Sequence, residues 1–97
     1  MQRNVPVITA KGMFIVRNAR GLHTRPSTEI VKCAAGFSAD VRLFYQKTEI
    51  NAKSLLGILM LAAEKGARIR IVATGKDAEK AVASLLDLAK NNFNISY

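Results

Sequence analysis

The sequence predicts an α+β open-faced sandwich, and three patterns support that fold class. Apolar and polar residues alternate over Asp40 to Tyr45 and over Arg68 to Thr74, as half-buried strands require. Apolar residues recur at helical spacing in three other stretches, each closed by glycine or asparagine. The segments follow one another as β-α-β-β-α-β-α. Helices that each bury one face then cover one side of the sheet and leave the other wet.

Each element has its own local reason. Met13 to Asn18 is a β-type run, closed by the turn Ala19-Arg20-Gly21. From Pro26 to Ala35, Ile30, Val31 and Ala34 repeat at helical spacing and Gly36 supplies the stop. Asp40 to Tyr45 sets Val41, Leu43 and Tyr45 against Arg42 and Phe44, and a short strand around Lys47 to Asn51 pairs with it through a turn. Ser54 is placed to cap a helix through Leu55, Leu56, Ile58, Leu59, Met60 and Leu61 that ends at Lys65-Gly66. In Arg68 to Thr74, Ile69, Ile71 and Ala73 share one face and Arg68, Arg70 and Val72 the other. From Asp77 onward, Ala78, Ala81, Val82, Leu85, Leu86 and Ala89 mark a third helix, closed by Asn91 and Asn92; its acidic start suits the helix dipole.

Length and composition fit one domain over residues 1–97, with a core from about 12 to 92 and two short extensions. Residues 1–11 lack an apolar run of signal-peptide length, and Leu55 to Ala63 is too short to cross a bilayer. A soluble cytoplasmic protein is expected. Cys33, the one cysteine, cannot form an internal disulfide and reads as a small, at least half-buried residue without a catalytic role. One histidine and scattered acids give no metal-ligand set. Fifteen Lys and Arg against seven Asp and Glu leave a net charge of +8, spread along the chain rather than in a run. Such a charge favours nucleic acid, an acidic protein surface, or simply solubility.

Chemistry concentrates in Gly21-Leu22-His23-Thr24-Arg25-Pro26. Neutral imidazole is a nucleophile, and phosphate on a ring nitrogen is readily passed on. Proline suits a first helical turn, so a helix begins near Pro26 with His23 just outside it. Amides at the helix start and the forked guanidinium of Arg25 would then face a group carrying about two negative charges. Gly21 permits the tight turn that brings the strand in. Taken alone, a lone histidine at a helix start also reads as a capping or surface residue.

Together with Lys53-Ser54-Leu55-Leu56-Gly57-Ile58 and the strand Arg68 to Thr74, that window resembles HPr, the histidine-containing phosphocarrier family of the bacterial sugar phosphotransferase system. The resemblance runs from near Met13 to near Lys90. It implies a four-stranded antiparallel sheet covered on one face by three helices. It also implies a relay rather than an enzyme: His23 takes a phosphoryl group at Nδ1 from phospho-enzyme I, itself charged by phosphoenolpyruvate, and gives it to a histidine on an enzyme IIA domain. Arg25 and the amides of Thr24 and Arg25 would steady the phosphate. Partners would dock on Thr24, Arg25, Thr28, Leu55, Leu56 and Leu59, and one short helix cannot bury all its apolar residues in any case. Ser54 matches the serine that an ATP-dependent HPr kinase/phosphorylase modifies in many members, and a cap role alone would also explain it. A monomer with no cofactor, nucleic acid or membrane partner is implied.

The charge is high for this family, and the extensions Met1 to Lys11 and Phe93 to Tyr97 match no family role. Leu59-Met60-Leu61-Ala62-Ala63 and Lys65-Gly66 also resemble the nitrogen-branch phosphocarrier, NPr, leaving the branch open. A small RNA-binding domain is the alternative from another class. It needs aromatic residues on the open sheet, and Phe14, Phe44 and Tyr45 lack that signature. A purely regulatory adaptor using only Ser54 is a third reading, against which His23 and Arg25 together argue.

Overall fold

The computed structural model describes residues 7–95. Its elements are β1 (Thr9–Ile15), α1 (Thr24–Ala35), β2 (Asp40–Tyr45), β3 (Thr48–Asn51), α2 (Leu55–Met60), β4 (Arg68–Thr74) and α3 (Ala78–Lys90), followed by a tight turn at Asn92–Asn94. The four strands form one antiparallel sheet in the order β1-β4-β2-β3. Period-two patterning sorts the side chains. Val41, Leu43, Ile69, Ile71 and Ala73 are fully buried toward the helices, whereas Arg68 and Arg70 stand on the opposite, open face. Helix α3 lies on β1 and β4, α2 touches β3, and α1 packs against both α2 and α3. Ile30 and Ile58 complete the core between the layers, where each large aliphatic side chain contributes about 1.5–3 kcal/mol by leaving water.

Strands β2 and β4 lie where the alternation places them, but three boundaries differ. Strand β1 occupies Thr9–Ile15, earlier than the expected Met13 to Asn18, because its ladder follows β4 to the pairing Thr9↔Thr74. Gly12 obscures the alternation there. A Cβ on Gly12 would come within 2.8 Å of Val82 Cγ1, so the bare backbone lets α3 approach β1. Helix α1 begins at Thr24 rather than near Pro26. Proline at the third position fits, since first-turn amides have no acceptor within the helix.

Helix α2 stops at Met60, short of the expected Lys65-Gly66. Leu61 and Ala63 both turn inward, and Ala62 takes a left-handed φ of 50° to let them. Periodicity alone could not show this, because the residues that end the helix are as helix-prone as those within it. At the other end, Phe93 is not part of a surface tail: it is 1% exposed and meets the Phe14 ring edge-on at 5.7 Å. Ser96, Tyr97 and the first six residues lie outside the described residues.

Asp77 also departs from a simple role at the start of α3. It makes no side-chain cap. Instead Oδ2 accepts from Ser38 N–H at 2.9 Å and Oδ1 from Ala39 N–H at 2.8 Å, tying α3 to the entry of β2. Those donors, the Ser38 amide first, hold its carboxyl below the usual carboxylate range.

Candidate functional site

His23 is the N-cap residue of α1, with extended backbone at φ −77° and ψ −170° and no side-chain cap hydrogen bond. The first backbone bond of the helix runs from Ser27 N–H to His23 O at 3.1 Å. Thr24 and Arg25 N–H therefore have no intrahelical acceptor, and Pro26 has no N–H at all. Both amides lie at the positive end of a twelve-residue helix, next to the imidazole. The His23 side chain is half-buried and its Nε2 is shut off from solvent. Thr24 and Arg25 are exposed.

The turn that carries the histidine is braced from three directions. Leu22 N–H donates to Ala63 O at 2.9 Å, Gly21 N–H to Asn18 O at 2.9 Å, and Ser27 Oγ–H to Leu22 O at 3.0 Å. Gly21 has φ +69°, and a Cβ there would lie 2.3 Å from Ala63 O. Glycine is thus required by both conformation and space. Sequence reasoning missed Ser27 and Ala63. Neither carried a signal in the sequence: Ser27 is a fully buried polar side chain whose partner lies outside its own helix, and Ala63 contributes only a carbonyl.

Ser54 caps α2: its Oγ accepts from Gly57 N–H at 3.0 Å. Lys53 beside it donates from Nζ to Phe37 O at 2.8 Å, fastening this corner to the end of α1. On α2 Leu55 is 37% exposed, Leu56 68% and Met60 71%, while Leu59 is half-buried and Ile58 fully buried. Met60 is an exposed apolar residue that the sequence reading left out of the docking set. Thr28 is half-buried, its hydroxyl donating to Thr24 O at 2.8 Å. The end of α2 and the histidine turn meet through the Leu22–Ala63 hydrogen bond, three residues beyond Met60.

Cys33 is half-buried, and burial pushes its thiol up from the ordinary value. Among the described residues, no group of three or more His, Cys, Asp or Glu side chains could hold a metal ion, and no helix is long and apolar enough to cross a membrane.

Comparison with known proteins converges on one family. Residues 10–91 match the family model described as the phosphotransferase-system HPr component phosphorylation site. The phosphocarrier protein HPr of Xylella fastidiosa is 38% identical over 81 residues, covering 84% of this chain and 91% of that protein. Among solved structures, HPr-C-His from Thermoanaerobacter tengcongensis superposes with a TM-score of 0.86 at 31% identity, covering 91% of this chain and 99% of its own. HPr from Bacillus anthracis does so at 0.74 and 35% identity, covering 79% and 92%.

Proposed function

Because the chain belongs to the HPr family of phosphotransferase-system phosphocarriers, we propose that His23 is its phosphoryl-bearing residue, charged by phospho-enzyme I and discharged to an enzyme IIA domain. The observation that carries this reading is the place of the imidazole: half-exposed, at the cap of α1, beside two amides outside the helix's own bonding. The burial of Nε2 supports Nδ1 as the nitrogen that takes the phosphoryl group.

In the transfer, the Nδ1 lone pair attacks phosphorus in line with the donor nitrogen–phosphorus bond. As the new bond forms the old one breaks, and its electron pair returns to the donor imidazole. Three phosphoryl oxygens then need positive partners. The Thr24 and Arg25 amides supply two dipoles, and the Arg25 guanidinium supplies a charge on an exposed side chain. The site encloses nothing, as a carrier demands, since its phosphorus must be reached by two different nucleophiles in turn.

Leu55, Leu56 and Met60 form an exposed apolar surface on α2 that suits transient docking, with half-buried Leu59 beneath and Thr24, Arg25 and Thr28 on α1. Ser54 would regulate it. A phosphate on the Ser54 oxygen would replace a neutral cap with a dianion in the residue preceding this surface, repelling acidic partners.

Incubation with enzyme I and labelled phosphoenolpyruvate tests the assignment. Acid-labile label should appear on wild type and Ser54→Ala and be absent from His23→Ala. Label that persists on His23→Ala overturns it. Arg25→Ala should still accept label, but about ten- to a hundredfold more slowly.

A further inference from the structure

We propose that the open face of the sheet, which the phosphocarrier reading does not use, docks an acidic amphipathic helix of another protein. The strand register fixes what that face displays. Ile15 lies beside Arg68; Met13, Arg70, Phe44 and Glu49 form the next row; Lys11, Val72, Arg42 and Asn51 the row after; and Thr9, Thr74 and Asp40 the last. Cations and apolar side chains alternate across the strands, each cation flanked by a hydrophobic neighbour about 4.8 Å away. Met13 and Ile15 are 45% and 42% exposed, and a shallow depression of about 390 Å³ opens among Lys11, Met13, Arg70 and Val72.

Charge decides the class of occupant. Lys11, Arg42, Arg68 and Arg70 stand on this face against Asp40 and Glu49, and Asp40 already accepts from Arg42 Nε at 3.1 Å. Among the described residues, no carboxylate lies within ion-pair distance of Lys11, Arg68 or Arg70. A second copy of the chain would bring like charge, so the complement is acidic. Arginine, methionine and phenylalanine are also the residues enriched at the centre of protein interfaces.

Nucleic acid fits less well. Phe14 faces the core and Tyr45 packs against it, which leaves Phe44 as the aromatic on the open face; Arg70 already lies over its ring at 5.1 Å, and Glu49 stands beside it. Bases would find no free stacking platform. A helix is the natural cover for a sheet face about 15 Å wide, and an amphipathic one can alternate carboxylates with leucines to match the rows.

The test titrates the isotope-labelled full chain with a helical peptide of about five turns carrying a leucine stripe flanked by glutamates. The peptide's Leu→Ser version and a single-stranded oligouridylate serve as comparisons. The acidic amphipathic peptide should shift the amides of β1, β4 and β2, and Arg68→Glu with Arg70→Glu should weaken it about tenfold or more. Arg68→Gln with Arg70→Gln should weaken it less, in a protein whose thermal unfolding is unchanged. Equal binding by either double variant, equal binding of the Leu→Ser peptide, shifts confined to α1 and α2, tighter binding of oligouridylate, or no binding at all would each overturn the proposal. The two readings fail separately: the double variants should still take label at His23, and His23→Ala should still bind the peptide.

Discussion

Gly21 has the least room for change of any residue at the histidine turn. An alanine there combines a left-handed φ of +69° with a Cβ 2.3 Å from the Ala63 carbonyl oxygen, so backbone must move against backbone. Gly21→Ala should cost about 3 kcal/mol in urea unfolding and slow labelling of His23, because the same shift displaces the cap of α1. Asp77 gives a pH-dependent counterpart. Its carboxyl is held below its unfolded value by the Ser38 and Ala39 amides. The stabilisation is therefore complete above the unfolded carboxylate pKa and is lost as pH falls through the lower folded one. Asp77→Asn should lower the urea midpoint near neutrality, and the gap from wild type should narrow as pH falls below the unfolded carboxylate pKa and through the lowered folded one. A gap that stays constant with pH would show that the carboxylate charge is not what stabilises the Ser38 turn. At this scale much was readable in the sequence, since His23, Arg25 and Pro26 announce themselves by type and spacing. Ser27 and the Ala63 carbonyl did not, because a buried hydroxyl and a backbone oxygen have meaning only once the turn and the end of α2 are brought together.

Elements bounded by charge alternation were legible and those bounded by backbone geometry were not. Strands β2 and β4 carry arginines on the wet face and aliphatics on the dry one, which leaves little freedom in where they lie. Strand β1 starts four residues before its apolar run because pairing with β4, a long-range condition, extends it over Thr9 to Gly12. Helix α2 ends through a left-handed alanine, a residue that gives no stop signal. That ending is itself testable. Ala62 bears a conformational cost of about 1–2 kcal/mol, part of which glycine would relieve at the expense of chain entropy. Ala62→Gly should raise the urea midpoint, a gain of up to about 1 kcal/mol in unfolding free energy, without altering labelling of His23. A lowered midpoint would mean that the alanine methyl, though exposed, contributes packing that the backbone argument omits.

At the scale of the whole molecule, the sheet separates two chemistries: helices and histidine turn on one side, the basic open face on the other. The closing turn at Asn92–Asn94 seals the helical side. All three residues have left-handed φ, 53°, 55° and 59°, a conformation asparagine tolerates and phenylalanine does not favour. Burial of Phe93 against Phe14 outweighs that cost. Phe93→Ala should therefore lose about 3–5 kcal/mol on thermal or urea unfolding, despite lying two residues from the last one described. Loss of less than about 1 kcal/mol would make the turn an accessory rather than a seal. The Leu22–Ala63 hydrogen bond has a consequence of another kind. It makes one amide proton a gauge of the neighbouring helix, because Leu22 N–H can exchange with solvent deuterium only when Ala63 moves away. Loosening α2 by Ser54→Ala should speed exchange at Leu22 while leaving Val16, whose amide is anchored to Ala67, at its original rate. The clock for that motion is thus built into the chain immediately before the imidazole proposed to bear the phosphoryl group.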